Sequence, residues 1–475
     1  MINVKYYEQR SAYDADKPNL ILPNVSYCED TDEVFYNPKP HDYSQDYLTF
    51  VAEEDGTFKF SGNSVNYSVD GGETWKTLAK NTNSPTVQAG GKIMFKATLT
   101  PSTSWPYGIG TFSSTGSFSA EGNPMSLLYG DDFKGQTSLS GKNNAFNVLF
   151  SGCTGLTSAE NISLPATTLA SSCYNNMFNG CTSLTTAPSV LPATTLANSC
   201  YGYMFNGCTS LTTAPSLPAT TLAYQCYTSM FNGCTSLTNA PSLPATTLAS
   251  YCYQYMFYGC TGLTTAPILP ATTLVEYCYL NMFYGCTSLT TAPELPATTL
   301  DYACYNGMFN GCTSLTTAPE LPATTLAFGC YNGMFNGCTS LTIAPELPAT
   351  TLANYCYGGI FDGCTSLTTA PELPATTLKN NCYSGMFRGC TNLTTAPVLP
   401  ATTLADYCYN SMFSGCTSLN SITCLATDIS VAYCTTNWVN GVAASGTFIK
   451  ADSMSSWTTG TSGIPSGWTV EDYQS

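Results

Sequence analysis

A pair of cysteines eight residues apart returns along most of the chain and constrains the fold more than any other feature. Its first members stand at Cys173 and Cys200 and then every 26 residues as far as Cys408. Ten copies of Leu-Pro-Ala-Thr-Thr-Leu accompany these pairs. Such a strict period predicts that each repeat forms one turn of a solenoid.

The apolar positions that do not change between repeats predict the side of each turn that faces inward. They include the Met-Phe pair, as at Met177 and Phe178, and the leucine after the second cysteine, as at Leu184. One turn cannot bury these side chains alone, whereas stacked turns can. Leu-Thr-Thr-Ala-Pro predicts a short strand closed by proline. For the Cys-Tyr-x-x-Met-Phe segment we expect a single helical turn or an irregular arc.

The cysteines themselves are expected to be buried, reduced thiols. In the atypical terminal repeats Ala145 and Val442 replace a cysteine of the pair, and a small buried apolar position tolerates such replacements. An alternative remains open, in which disulfides join neighbouring repeats, beginning with Cys153 to Cys173. That scheme would leave Cys28 and Cys424 unpaired.

The phrase Met-Phe-x-Gly-Cys-Thr-Ser-Leu-Thr-x-Ala-Pro, as at Met308 to Pro319, resembles the BspA-like leucine-rich repeats of bacterial surface proteins. The resemblance is repeated in register over most of the chain, although this chain has a longer turn and a second cysteine column. It implies a mainly β fold, a leucine-rich-repeat-like solenoid of about twelve 26-residue turns. We place this solenoid at residues 129–449, with atypical terminal repeats.

The rest of the chain is built differently. Residues 47–128 alternate apolar and polar positions between glycine-rich turns, which predicts a small antiparallel β-sandwich, immunoglobulin-like, ahead of the solenoid. Within it the segment from Ser68 to Trp75 resembles the Asp-box hairpin of sialidases and other β proteins, and a single copy supports strands rather than catalysis. Residues 1–46 predict an extended docking arm, and residues 450–475 a C-terminal cap.

The columns that vary between repeats are the candidate binding surface. They flank each Cys-Tyr and are rich in Tyr, Asn, Ser, Gly and Gln, which are the residues of adaptable binding loops. A surface without a ligand would be expected to acquire Lys and Glu, and these columns are almost free of Lys. The alternative that they are simply solvated stays open. The candidate ligand-binding residues are Asn175, Asn176, Tyr203, Tyr224, Tyr251, Tyr255, Tyr277, Tyr302, Phe328, Tyr355 and Tyr407.

No catalytic residue, metal site or cofactor is predicted. The cysteines do not form Cys-x-x-Cys pairs, and the single histidine, His41, lies in the predicted arm, so neither zinc binding nor a Cys-His nucleophile is indicated. Glu294, Glu320, Glu346 and Glu372 form a stripe of equivalent carboxylates, whereas a glycosidase needs two carboxylates in different environments. Hydration is the expected state of this stripe, with bridging cations as the alternative.

Charge and composition narrow the partners. Only 9% of residues are charged, the net charge is -16, and Lys379 and Arg388 are the only basic residues between 143 and 449, which argues against a nucleic-acid partner. No transmembrane stretch or signal peptide is expected from the sequence. The flanks, with Phe112-Ser-Ser-Thr-Gly and Gly463-Ile-Pro-Ser-Gly-Trp, resemble proteins of phages and prophages of gut Bacteroidales.

Together these features predict a non-catalytic recognition or adhesion protein. The favoured hypothesis is a phage receptor-binding component, on the tail or virion surface and assembled in the host cytoplasm. It would bind a host cell-surface glycan or protein, contact other particle proteins through the arm, and could form a homo-oligomer. The alternatives are a structural decoration or spacer without a dedicated ligand, and a secreted bacterial surface adhesin.

Overall fold

A computed structural model describes residues 25–28, 33–36, 41–104, 108–454 and 457–474. The chain divides into two compact units, Met1–Tyr43 and Ser44–Ser475. In the first unit, strands β1 (Val25–Cys28) and β2 (Glu33–Tyr36) pair antiparallel. Most of the predicted arm over residues 1–46 lies outside the described residues.

The second unit begins with two small sheets. Their strands are β3 (Leu48–Ala52), β4 (Phe58–Phe60), β5 (Val65–Ser68), β6 (Lys76–Leu78), β7 (Lys92–Lys96), β8 (Phe112–Ser114), β9 (Phe118–Gly122) and β10 (Leu156–Ile162). Six of them form a sheet in the order β10-β9-β3-β7-β5-β6, and β4 pairs with β8. All pairs are antiparallel except β9 with β10. A helical turn, α1 (Ser126–Tyr129), and 3₁₀ turns at Tyr43–Gln45 and Gly130–Phe133 complete the region.

A cluster of buried phenylalanines joins these sheets to the first repeat. The ring of Phe50 lies 4.8–5.7 Å from the rings of Phe58, Phe95, Phe112, Phe118 and Phe150. All six side chains are buried, and Phe150 belongs to the first repeat. The sheets and the repeats therefore share one core within a single compact unit. The boundary at residue 128 stays a prediction. The immunoglobulin-like topology and the remaining domain limits stay predictions.

The Cys-Tyr-x-x-Met-Phe segment of each repeat forms an arc of consecutive backbone turns. Along this arc, successive N–H groups donate alternately to a carbonyl of the same repeat and to a carbonyl of the next repeat. Cys173 N donates to Ala170 O within its own repeat at 3.3 Å, and Tyr174 N donates to Cys200 O of the next repeat at 2.9 Å. The backbone φ is positive at every fourth residue, namely Ser172 (54°), Asn176 (55°) and Gly180 (73°). Positive φ cannot occur within a right-handed helix, so of the two expected forms the irregular arc is present and the helical turn is not.

Two ladders of stacked rings fill the interior. Tyrosines from Tyr174 to Tyr409 stack at 5.6–6.2 Å between centroids. Phenylalanines from Phe150 to Phe413 stack at 5.3–5.9 Å. Each aromatic pair adds about 0.5–1.5 kcal/mol beyond the burial of its area.

The cysteines of the repeats are free, buried thiols. All 23 cysteines from Cys153 to Cys434 are free, which confirms the predicted thiol columns, so the cross-repeat disulfide alternative is not formed. In the second column the thiols also serve as donors: Cys181 Sγ donates to Phe150 O of the preceding repeat at 3.0 Å. The same bond recurs at each repeat as far as Cys416.

The predicted Leu-Thr-Thr-Ala-Pro strand is reduced to single parallel bridges, such as that between Thr186 and Thr213. The cause is the proline, which has no N–H to extend the ladder. Where the terminal repeats carry another residue in place of that proline, true strands form. These are β10 at the first repeat, with Glu160 in the proline column, and β11 (Ser421–Cys424), with Thr423 there.

The C-terminal end is closed by a three-stranded parallel sheet and a tryptophan. Strands β11, β12 (Thr447–Lys450) and β13 (Thr469–Asp472) pair in that order. Trp438, fully buried, lies 6.2 Å from both Tyr409 and Phe413, and its Nε1 donates to Gly463 O at 2.8 Å. One indole thus contacts the last ring of both ladders, and Trp457 stacks on it at 5.7 Å. No helix in the described parts of the chain is long and apolar enough to span a bilayer.

Candidate functional site

Six of the predicted residues form a continuous row of rings on the outside of the solenoid. We call this row the aromatic strip, and its members are Tyr224, Tyr251, Tyr277, Tyr302, Phe328 and Tyr355. Successive ring centroids are 4.8–5.5 Å apart. Four of the six side chains are classed as exposed, at 38–45% of their full area. The other two, Tyr251 and Tyr277, are half-buried.

The strip draws one ring from each repeat but not always from the same column. In three repeats the ring stands two residues before the first cysteine, as at Tyr224, and in three it stands one residue before, as at Tyr251. None of these repeats has a ring in both columns. The row therefore continues unbroken, one ring wide, although each single column is interrupted.

The backbone makes tyrosine a costly choice in one of these columns. The residue just before the first cysteine has positive φ, at 61° for Tyr251, 53° for Tyr277 and 59° for Tyr355. This region costs an L-residue about 1–2 kcal/mol, and glycine and asparagine enter it most easily. Gly329 and Asn381 occupy the same column in other repeats. Rings are thus present where local backbone preference favours small residues.

The strip is neutral along its middle and acidic beside it. Desolvation, followed by hydrogen bonding to Tyr302 and nearby charges, raises the pKa of Tyr277 to about 12. Desolvation, then the charge of Glu276, also raises the pKa of Tyr251. Like ordinary tyrosine hydroxyls, both are protonated at neutral pH and can both donate and accept hydrogen bonds. Glu276 and Asp301 are exposed next to the strip.

The other predicted tyrosines lie outside the strip. Tyr407 stacks on Tyr433 at 4.7 Å, and the repeat with Asn380 and Asn381 separates this pair from the strip. Tyr255 contacts Tyr258 at 5.8 Å. Tyr203 is 38% exposed and belongs to none of the ring contacts found in the described part of the chain.

The two predicted asparagines are engaged in the arc itself. Asn175 Nδ2 donates to Ser199 O of the next repeat at 3.2 Å, and Asn179 Nδ2 donates to Asn176 Oδ1 at 2.7 Å. Asn176 also donates to the side chain of Asn175. Both residues are half-buried. The amide of Asn175 ties its repeat to the next one, whereas the amide of Asn176 bonds within its own repeat.

A family profile described as BspA type leucine-rich repeat region, with six copies, matches residues 146–240, 198–342 and 303–435. The chain belongs to this BspA-type repeat family. No curated protein and no solved structure gives a significant match to it. BspA-type repeats are typical of surface and adhesion proteins and are generally non-catalytic, and no catalytic family was found.

The predicted acidic stripe of this BspA-type protein lies at the surface. Glu294, Glu320, Glu346 and Glu372 are all exposed, in line with a hydrated stripe. Among the described residues, no group of three or more His, Cys, Asp or Glu side chains could hold a metal ion.

The sequence did not point to three tyrosines whose rings contact predicted residues or each other, Tyr258, Tyr284 and Tyr433. Tyr258 and Tyr284 stack at 4.6 Å, six residues after the first cysteine of their repeats. Most other repeats carry asparagine in that column. The change from asparagine to tyrosine in two consecutive repeats was the signal that could have revealed them.

Proposed function

We propose that this protein is a non-catalytic adhesion protein that binds an extracellular ligand through the aromatic strip. The observation that carries the proposal is the row of six contacting rings, one from each consecutive repeat, four of which are exposed. Aromatic residues anchor interfaces because they offer large contact area at a low cost in conformational entropy.

The pattern of substitutions supports binding over simple solvation. A solvated column needs no rings, and at positive φ it would favour glycine or asparagine. Here the ring moves between two columns while the row stays continuous. Stacking between neighbours stabilises the solenoid as well, so a test must separate binding from stability.

The decisive experiment replaces rings by residues that other repeats already carry. Serine stands at the columns in question in Ser172 and Ser250, so the triple variant Tyr251→Ser, Tyr277→Ser, Tyr302→Ser should fold. We expect it to lose binding to cells that the unaltered protein binds. Tyr473→Ser is the control, since Tyr473 is 42% exposed, much like the exposed rings of the strip, but lies outside the repeats.

Binding by the triple variant equal to that of the unaltered protein would overturn the proposal. Thermal denaturation of both proteins, measured in parallel, distinguishes lost binding from lost folding.

We further propose that the protein acts as a receptor-binding component on a phage tail or virion surface, with a host-cell glycan or protein as its ligand. The support is the resemblance of the flanking segments, Phe112-Ser-Ser-Thr-Gly and Gly463-Ile-Pro-Ser-Gly-Trp, to phage proteins. A bacterial surface adhesin is the alternative location for the same binding surface. Detection of the protein in purified particles or in the cell envelope, by mass spectrometry, decides between the two.

A further inference from the structure

We propose that the aromatic strip binds a neutral, linear polysaccharide that lies parallel to the solenoid axis, with one sugar residue for each repeat. This inference rests on the proposed function and adds the chemical class and direction of the ligand.

The spacing of the rings favours a polymer of that dimension. Successive centroids are 4.8–5.5 Å apart over six repeats, so a ligand that meets every ring must repeat at a similar step. One sugar residue lengthens an extended 1,4-linked pyranose chain by about the distance that one repeat advances along the solenoid axis. An extended peptide presents side chains to one face only about every 6.8 Å, so it would drift out of step with the rings.

An α-helix, with a pitch of about 5.4 Å, has a suitable step but the wrong surface chemistry. Helix recognition uses an apolar groove with side-chain anchors. The strip is one ring wide and bordered by polar residues, among them Gln225, Ser250 and Asn354. A narrow apolar row with hydrogen-bonding groups on its borders matches the alternating C–H and O–H groups of a sugar chain.

Charge excludes acidic polymers. Glu276 and Asp301 are exposed beside the strip and would repel uronate or phosphate groups. Lys379 and Arg388 are the only basic residues between 143 and 449, and Arg388 is paired with Asp362. A neutral ligand therefore fits the surface, and the protonated hydroxyls of Tyr251 and Tyr277 supply its hydrogen bonds.

The arrangement of the rings also says how a sugar chain would meet them. Two pairs are stacked face to face, Tyr251 with Tyr277 at 24° and Tyr302 with Phe328 at 4°. The three other junctions are tilted by 49–65°. We expect a sugar chain to meet ring edges along the stacked pairs and to reach ring faces at the tilted junctions.

The test measures binding of the whole protein to defined glycans by isothermal titration calorimetry. The probes are linear 1,4-linked glucans, mannans and galactans, with their oligosaccharides of two to eight sugars, and polygalacturonate as the acidic counterpart. We expect binding to at least one neutral series, with an affinity that rises with length until about six sugars span the six rings. The triple serine variant should bind at least about tenfold more weakly, whereas Tyr473→Ser, at a residue outside the repeats that is 42% exposed, should bind as the unaltered protein does.

The inference fails if no neutral polysaccharide binds, if polygalacturonate binds best, or if affinity stops rising at two sugars. Strip-dependent adhesion to cells stripped of their polysaccharides would also overturn it and point to a protein ligand. That last outcome would leave the proposed function intact. Adhesion that does not depend on the strip would overturn both.

Discussion

At the scale of single residues, the left-handed backbone positions of the arc explain much of the residue composition of the repeats. Glycine and asparagine recur there because positive φ recurs every fourth residue, and this is a backbone requirement rather than a binding signal. Tyrosine also recurs at these positions, as at Tyr203, Tyr251 and Tyr255, and the backbone does not explain its presence. The residues to associate with recognition are therefore the rings, and the small polar residues are part of the frame.

Gly333→Ala measures this backbone requirement alone. Gly333 has φ of 60°, and an added Cβ would meet nothing within 4 Å, so only conformational strain changes. We expect the free energy of unfolding to fall by about 1 kcal/mol. Urea denaturation measures it.

Gly333→Asn is the matched comparison for that variant. Asn281 occupies the same column with φ of 50°, and asparagine adopts this region more readily than alanine. The asparagine variant should therefore lose less stability than the alanine variant. Equal losses would contradict the strain argument.

The sequence was sufficient to predict the solenoid, the inward-facing columns and the rings of the strip, because all three depend on periodicity. It could not predict the alternation of φ, since Ser172 or Tyr251 carries no signature of a left-handed backbone. Nor did it show that the row of rings is continuous. Continuity depends on the distance between adjacent columns of neighbouring turns, which only the stacked structure provides.

At the scale of elements, the β5–β6 hairpin is held by the carboxylate of Asp70. Ser68 Oγ donates to it at 2.6 Å and Thr74 N at 3.0 Å, and Trp75 Nε1 donates to Gly72 O at 3.1 Å. This agrees with the predicted Asp-box hairpin. Hydrogen bonds from Ser68 and then Thr74 hold the pKa of Asp70 well below its usual range.

Asp70→Asn should destabilise the hairpin in a pH-dependent way. Because the folded-state pKa is lowered, the contribution is present above the unfolded carboxyl pKa of about 3.9 and is lost as the pH falls through the folded value. The difference in Tm between the unaltered protein and the variant should shrink on acidification below about pH 4. Trp75 fluorescence follows the transition, and a difference that does not change with pH would refute the assignment.

Trp438 packs against the last tyrosine and the last phenylalanine of the ring ladders. Trp438→Ala should cost about 3–5 kcal/mol, the usual range for a buried large aromatic residue. Hydrogen exchange should quicken in the last repeats first, since each repeat is stabilised by its neighbours. Tyr433→Ala, at a residue 59% exposed, is the control and should leave exchange nearly unchanged.

Proline sets another limit on what could be predicted at this scale. Leu-Thr-Thr-Ala-Pro has the composition of a strand, yet strands appear only at β10 and β11, where the proline is replaced. A single missing N–H per repeat thus decides between a sheet and a row of isolated bridges. The number of bonds lost is small, but the loss recurs in every turn.

At the scale of the whole molecule, the buried thiols predict sensitivity to alkali. Desolvation raises the pKa of buried cysteines such as Cys173, Cys208 and Cys226 to about 12, against about 8.5 in an unfolded chain. Their contribution to stability is complete below about pH 8.5 and is lost as the pH rises toward 12. In that window each thiol lowers the free energy of unfolding by about 1.4 kcal/mol for each pH unit of increase.

Because 23 free cysteines share this behaviour, we expect cooperative unfolding within about one pH unit above 8.5. Circular dichroism at increasing pH measures the midpoint. Thiol reagents should label almost no cysteine before the transition and nearly all of them after it. Stability that persists to pH 11 would contradict free thiols and favour disulfides between repeats.

The alternating backbone hydrogen bonds of the arc also determine how the molecule would respond to tension. Every second N–H reaches into the next repeat, so a pull on the chain ends opens these bonds one after another instead of breaking them together. Each detached repeat would release 26 residues, about 90 Å of extended chain. A tether of this construction lengthens under load in equal steps and dissipates energy at each one, while the turns not yet reached keep their surface intact.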